Sequence, residues 1–150
     1  MTSIIYVGMD VHTTNYILCC YSIATGNIFA ETSVGPDYAN ILKYLNKMRM
    51  DLGEDCNFQR GYEAGYLGYS LHNQLVAHDI DCIILTPSTM ATTKKKKGIK
   101  NDERDARNTA KCLAYGTCSP VYVPTSEDNA VKEYIRMRDD ERYALKRIKQ

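Results

Sequence analysis

Three apolar runs open the chain, separated by turns of only a few polar residues. Residues 4–11 are almost continuously apolar, as expected of a strand buried on both faces. The turn His12-Thr13-Thr14-Asn15 leads into a second run at 16–22. Thr25-Gly26-Asn27, a hairpin signal, leads into a third at 28–34. Loops this short join antiparallel neighbours, because a parallel return needs a crossover of about a dozen residues or more. The chain therefore begins as an antiparallel meander.

After Gly35-Pro36-Asp37 the period changes. Pro36 is expected in a first helical turn, and Ile41, Leu45, Met48 and Leu52 recur on one helical face. Residues 57–63 read as a strand ending at Glu63. Residues 66–78 read as a helix with Leu67, Leu71 and Leu75 on one side, and 82–85 as a fifth strand stopped by Thr86-Pro87. Residues 86–100 form a long loop rich in Thr and Lys, of a length that is usually functional. Asn101 is expected to cap a helix to about Tyr115, burying Ala106, Thr109, Ala110 and Leu113. Ser126 is expected to cap a last helix that runs to the end, with sparse apolar positions at Tyr134, Met137, Leu145 and Ile148. The order β-β-β-α-β-α-β-α is that of the ribonuclease-H-like α/β fold, a mixed five-stranded sheet flanked by helices. Actin-like ATPases share that order, so order alone does not assign function.

At 150 residues, 44% hydrophobic and 25% charged, the chain has the composition of one globular domain. No stretch approaches the ~20 apolar residues of a membrane span. The N-terminal apolar run is short and lacks a basic flank, so a cytoplasmic protein is expected. The six cysteines (Cys19, Cys20, Cys56, Cys82, Cys112, Cys118) contain no C-x-x-C pair and read as reduced and mostly buried. The net charge of +1 conceals an asymmetry. Residues 1–93 carry 4 Lys/Arg against 9 Asp/Glu, whereas 94–111 carry 8 against 3. Positive charge concentrates around Lys94, Lys95, Lys96 and Lys97.

Asp10 lies within an otherwise apolar strand. A carboxylate there costs several kcal/mol by order of magnitude unless it pairs or binds a cation. Glu63 ends the fourth strand, and in this strand order the first and fourth strands lie parallel and adjacent, with their carboxyl ends on one edge. Asp102 and Asp105, three apart at a helix start, share a face at the positive end of the helix dipole. Four acids brought together would raise one another's pKa values unless neutralised. Mg²⁺, which prefers carboxylate and water oxygens, resolves the conflict, and a pair of such ions can clamp a phosphodiester. The adjacent basic run supplies phosphate-binding charge. Taken singly, each acid has a bland reading as a helix-terminal or surface residue, His12 as incidental, and the lysines as a solvated loop. The dense set Tyr62, Tyr66 and Tyr69 offers no spacing that singles out a nucleophile.

Three blocks resemble the signatures of the DEDD-type insertion-sequence transposases, recombinases guided by a bridge RNA. They are Val7-Gly8-Met9-Asp10-Val11-His12, then Tyr62-Glu63-Ala64-Gly65 with Gly68-Tyr69-Ser70-Leu71, and Lys100-Asn101-Asp102-Glu103-Arg104-Asp105-Ala106. Residues 82–88 and 120–124 are similar to that family as well. The resemblance implies a RuvC-like catalytic domain, here 1–118, with Asp10, Glu63, Asp102 and Asp105 as metal-binding catalytic acids for Mg²⁺ (Mn²⁺ as a substitute). It implies nucleic-acid contacts from Lys94, Lys95, Lys96, Lys97, Lys100, Arg104 and Arg107. Residues 119–150 would be a linker and the start of a coiled-coil arm, beyond which relatives carry a further domain with a serine nucleophile. It further implies DNA and bridge RNA as partners, self-association as a dimer or tetramer in the full-length enzyme, no membrane association, and a bacterial or archaeal cytoplasm. Thr13 departs from the pattern, standing where many relatives have Lys. Alternatives from the residues alone are a stand-alone Holliday-junction resolvase-like nuclease, a non-catalytic guide-RNA-binding module, or an ATPase built on the hairpin at 8–15.

Overall fold

The computed structural model describes residues 3–53, 55–65, 67–89 and 102–149; the side chains of Asp102 and Glu103 lie outside that description. β1 (Ser3–Val11), β2 (Tyr16–Ser22) and β3 (Asn27–Val34) form the expected meander. There follow α1 (Tyr38–Leu52), β4 (Cys56–Glu63), α2 (Ser70–Val76), β5 (Ile83–Leu85), α3 (Asp102–Tyr115) and α4 (Ser126–Ile148). The sheet order is β3-β2-β1-β4-β5, with β4 parallel to both β1 and β5. The ribonuclease-H-like strand order and the adjacency of the first and fourth strands are as the sequence predicts. No helix among the described residues is long and apolar enough to cross a membrane.

Alternation along the strands divides the core in two. Ile5, Val7 and Met9 of β1 join Leu18, Cys20, Phe58 and Tyr62 under α1 and α2. Tyr6, Ile17, Cys19 and Tyr21 face Ala106, Ala110 and Leu113 of α3. On that second face α3 lies against the β1 backbone itself. A side chain on Gly8 would drive into the Ala106 carbonyl and come within 2.5 Å of the Ala110 nitrogen. Gly61, the register partner of Gly8, makes similar room for Leu113.

Several local expectations shift. Pro36 precedes the helix instead of entering it: Asp37 is the N-cap of α1 and accepts from the Ala39 N–H at 2.8 Å. Thr125, not Ser126, caps α4, in a reciprocal capping box with Asp128. Asp128 can reach back to the Thr125 N–H, and this two-way bond selects the earlier residue. Leu52 is exposed, and Tyr44 takes its place on the buried face of α1. The second helix is shorter than 66–78, with Leu67 half-buried before its first turn. The Asn101 cap, Tyr66 and most of the 86–100 loop lie outside the described residues. Residues after 118 continue the fold: Val121 N–H donates to Ile84 O at 2.7 Å, and Val121 and Val123 pack on the α1 side. α4 buries none of its side chains, leaving Tyr134, Met137, Leu145 and Ile148 exposed.

All six cysteines are free, and Cys19, Cys20, Cys82 and Cys112 are buried. Burial pushes the Cys19 and Cys82 thiols up to about 12 and the Cys20 thiol up to about 11, from 9.0. A thiol whose folded pKa is raised contributes its full stability below pH 9 and loses it as pH rises through the folded value. Each therefore removes about 1.4 kcal/mol per pH unit above pH 9, and melting temperature should fall steeply between pH 9 and 11. At pH 8 an aromatic disulfide reagent should titrate Cys56 and Cys118 quickly and Cys19, Cys20 and Cys82 only on unfolding. Gly8→Ala should lower stability by about 3 kcal/mol or more, read from the urea midpoint, because the two nearest atoms it meets are backbone and the third is the Ala110 Cβ, which cannot swing away.

Candidate functional site

Asp10 and Glu63 are the residues next after the last register pair of β1 and β4, Met9↔Tyr62. They therefore sit side by side on parallel strands about 4.8 Å apart at the backbone. Alternation places both on the α3 face: Asp10 follows Tyr6 and Gly8, and Glu63 follows Gly61. Both emerge at the carboxyl end of the sheet. The Asp10 side chain is 15% exposed, whereas Glu63 is exposed.

α3 brings its own acids to this edge by its direction. Ala106 and Ala110 lie over Gly8, while Tyr115, nearer the end of α3, reaches Tyr21, the register partner of Tyr6. The helix therefore runs back along β1, with its first turn towards the strand's carboxyl end. Four helical residues rise about 6 Å and two strand residues about 6.6 Å. Stepping from Ala106 back to Asp102 thus matches stepping from Gly8 forward to Asp10. Asp105 precedes buried Thr109 by one turn and is half-buried. By backbone placement Asp10 and Glu63 share one face and one edge, and the first turn of α3, which carries Asp102 and Asp105, is directed to that edge. Among the described residues, no three His, Cys, Asp or Glu groups close into a metal cluster, and the Asp102 side chain is not among them.

His12 is not incidental to this edge. Its Nε2 lies 2.9 Å from the Asp10 carboxylate, and its backbone N–H donates to Asn15 O, closing the turn that holds it there. The i, i+2 spacing on an extended strand is the sequence signal for such a contact. Of the predicted nucleic-acid residues, Lys94, Lys95, Lys96, Lys97 and Lys100 lie outside the described residues. Arg104 is exposed. The Arg107 guanidinium forks onto Glu31 of β3, with Nε to Oε1 at 3.0 Å and Nη2 to Oε2 at 2.8 Å. Sequence reasoning missed Glu31, which no motif marks. Tyr62 is 1% exposed, and burial raises its phenol pKa, which disfavours the nucleophilic phenolate.

A family model described as "Transposase", that of the DEDD transposases of the IS110 group, matches residues 7–150. The transposase for insertion sequence element IS1533 of Leptospira borgpetersenii is 32% identical over 151 residues, which is 97% of this chain and 41% of that protein. The chain thus spans less than half the length of that curated relative. Among solved structures, T. thermophilus RuvC in complex with Holliday junction substrate aligns with a TM-score of 0.50 and 12% identity over 79% of this chain and 99% of that one. A second Thermus thermophilus RuvC structure gives 0.50 and 13% over 78% and 99%. At such identities the likeness shows the fold, and the fold is RuvC-like.

Proposed function

This chain belongs to the IS110 family of DEDD transposases, and on that premise we propose that Asp10, Glu63, Asp102 and Asp105 jointly bind Mg²⁺ and act on DNA phosphodiester bonds. The observation that supports the reading is that β1 and β4 end side by side just before Asp10 and Glu63, with α3 packed antiparallel on β1 so that its first turn is directed to the same edge. Carboxylates gathered at one edge repel one another, so the set favours a cation between its members. A bound Mg²⁺ would polarise the scissile phosphate and stabilise the leaving oxygen. Asp10 and Glu63 supply oxygens from rigid parallel strands. Asp102 and Asp105 supply them from a helix start whose dipole favours their ionised forms. His12, on the Asp10 carboxylate, helps to fix its orientation.

Lys94, Lys95, Lys96, Lys97, Lys100 and Arg104 are the backbone-contacting charges of this reading, since DNA binding is dominated by phosphate neutralisation. The family implies a bridge RNA, an assembly of two or four subunits, and residues 119–150 as the way into a helical arm, all in a bacterial or archaeal cytoplasm. Catalysis at 1–118 alone would then be incomplete. A second reading has one observation in its favour: RuvC is matched over 99% of its own chain, so the unit here corresponds to a whole nuclease fold. Holliday-junction cleavage by residues 1–150 alone would favour a resolvase-like enzyme. Guide-RNA binding that is equally tight with and without Mg²⁺, in the absence of cleavage, would favour a non-catalytic module.

Ten times its Kd of Mg²⁺ should stabilise the wild-type chain by about 1.4 kcal/mol, raising Tm by about 3–6 °C. Asp10→Asn, and Asp102→Asn with Asp105→Asn, should remove that shift while leaving the circular-dichroism spectrum intact. In the longer enzyme each should abolish recombination; normal recombination by either variant rules out the metal role. Residues 1–150 with Mg²⁺ and DNA should not complete strand exchange, and a recombinant product from them would overturn that expectation.

A further inference from the structure

β3 contains an irregularity whose consequence lies at α3. Its pairing with β2 shifts register between Leu18 and Cys20, so that Ala30 and Glu31 together oppose Cys19. Ala30 adopts φ 54°, a left-handed conformation in which its Cβ is disfavoured. The conformation is clamped from the other side of the sheet: the Tyr44 hydroxyl of α1 donates to Ala30 O at 2.8 Å. In an unbulged strand, residue 31 would share the face of Phe29, under α1. The extra residue moves Glu31 to the opposite face, against α3, where both of its oxygens meet Arg107. Bulges commonly re-aim a side chain in this way.

Arg107 heads a flank of α3 at i, i+4 and i+8. Lys111 Nζ stands 5.9 Å from the Tyr21 ring centroid, and the Tyr115 hydroxyl lies 2.6 Å from that of Tyr21. The helix meets β1 through Gly8, Ala106 and Ala110, which allow close approach but offer few ridges against rotation. Carboxylates at the helix start stand about 5–6 Å from its axis, so a rotation of about 20° displaces them by about 2 Å. Metal ligation tolerates a few tenths of an ångström. The flank anchor nearest the start of α3 is therefore the contact best placed to fix the rotation at which that turn meets the edge carrying Asp10 and Glu63.

We infer that Arg107 and Glu31 form a positioning pair that sets the rotation of α3, and with it Asp102 and Asp105, instead of Arg107 serving as a phosphate contact. The inference rests on the metal-site reading above. The test is a double-mutant cycle on the full chain with Glu31→Gln, Arg107→Gln and both. Calorimetric Mn²⁺ affinity, hydrogen exchange of the α3 amides, and the salt dependence of duplex DNA binding without metal are read in parallel. Each single variant should weaken Mn²⁺ binding about tenfold, the scale of an outer-shell loss. The double should be no worse than either single, exchange should quicken at 102–110 but not in α4, and the salt slope should stay unchanged. Additive effects, unchanged α3 exchange, or unchanged Mn²⁺ affinity in the singles would overturn the pair. So would Arg107→Gln lowering the salt slope by about one while Glu31→Gln tightens DNA binding, which would make Arg107 a phosphate contact shielded by Glu31. Failure of wild-type chain to bind Mn²⁺ would instead overturn the metal-site reading, with α3 exchange still deciding whether the pair anchors the helix.

Discussion

The contact of α3 with the bare backbone of β1 at Gly8 is the constraint on which the rest of the site depends. Dispersion falls off within an ångström of optimal separation, so a helix seated on glycine gains attraction that a helix held off by a Cβ would lose. The contact also sets height and direction. With Ala106 and Ala110 over Gly8, the first turn of the helix arrives at the level of Asp10. Glycine at the partnered position of β4 continues the same trough towards Leu113. The acids at the edge and the small residues beneath the helix are parts of one arrangement.

Two kinds of interaction divide the work of holding α3. Burial of Ala106, Ala110, Cys112 and Leu113 against the sheet supplies attraction without much directional preference. Orientation comes from polar contacts along one flank, of which the forked Arg107–Glu31 pair has the most demanding geometry. The pair is half-exposed, so it contributes little to net stability, and its value lies in direction more than in energy. The bulge at Ala30 costs backbone strain, and the buried Tyr44 hydroxyl helps to offset it by holding the carbonyl in place.

Much of the architecture was legible beforehand because it follows from local rules. Short turns after residues 11 and 22 required antiparallel strands, and the 3.6-residue period marked the buried faces of α1 and α3. The departures were at element ends. Asp37 and Thr125 won their caps through side-chain bonds that propensity alone does not rank. Leu52 lost its place in the core to Tyr44, whose hydroxyl finds Ala30 O and Cys20 Sγ. Of the candidate site, Asp10 and Glu63 could be paired from strand order, because parallel neighbours end at the same edge. The contact of His12 with Asp10 was visible only as a spacing.

The amino-acid sequence alone determined the order of elements and the positions of the four candidate acids along them. Those properties reside in residue type and in short-range spacing. That Gly8 lets α3 approach β1 emerged only once the helix was seen packed on the strand. The tertiary structure decided which face Glu31 occupies and that Arg107 is engaged by it. A single bulge inverts the alternation of every residue beyond it, and whether an alanine accepts a left-handed conformation depends on a tyrosine fourteen positions away along the chain. Such a decision cannot be read from local pattern, because the groups that settle it meet only after the sheet and α1 have come together.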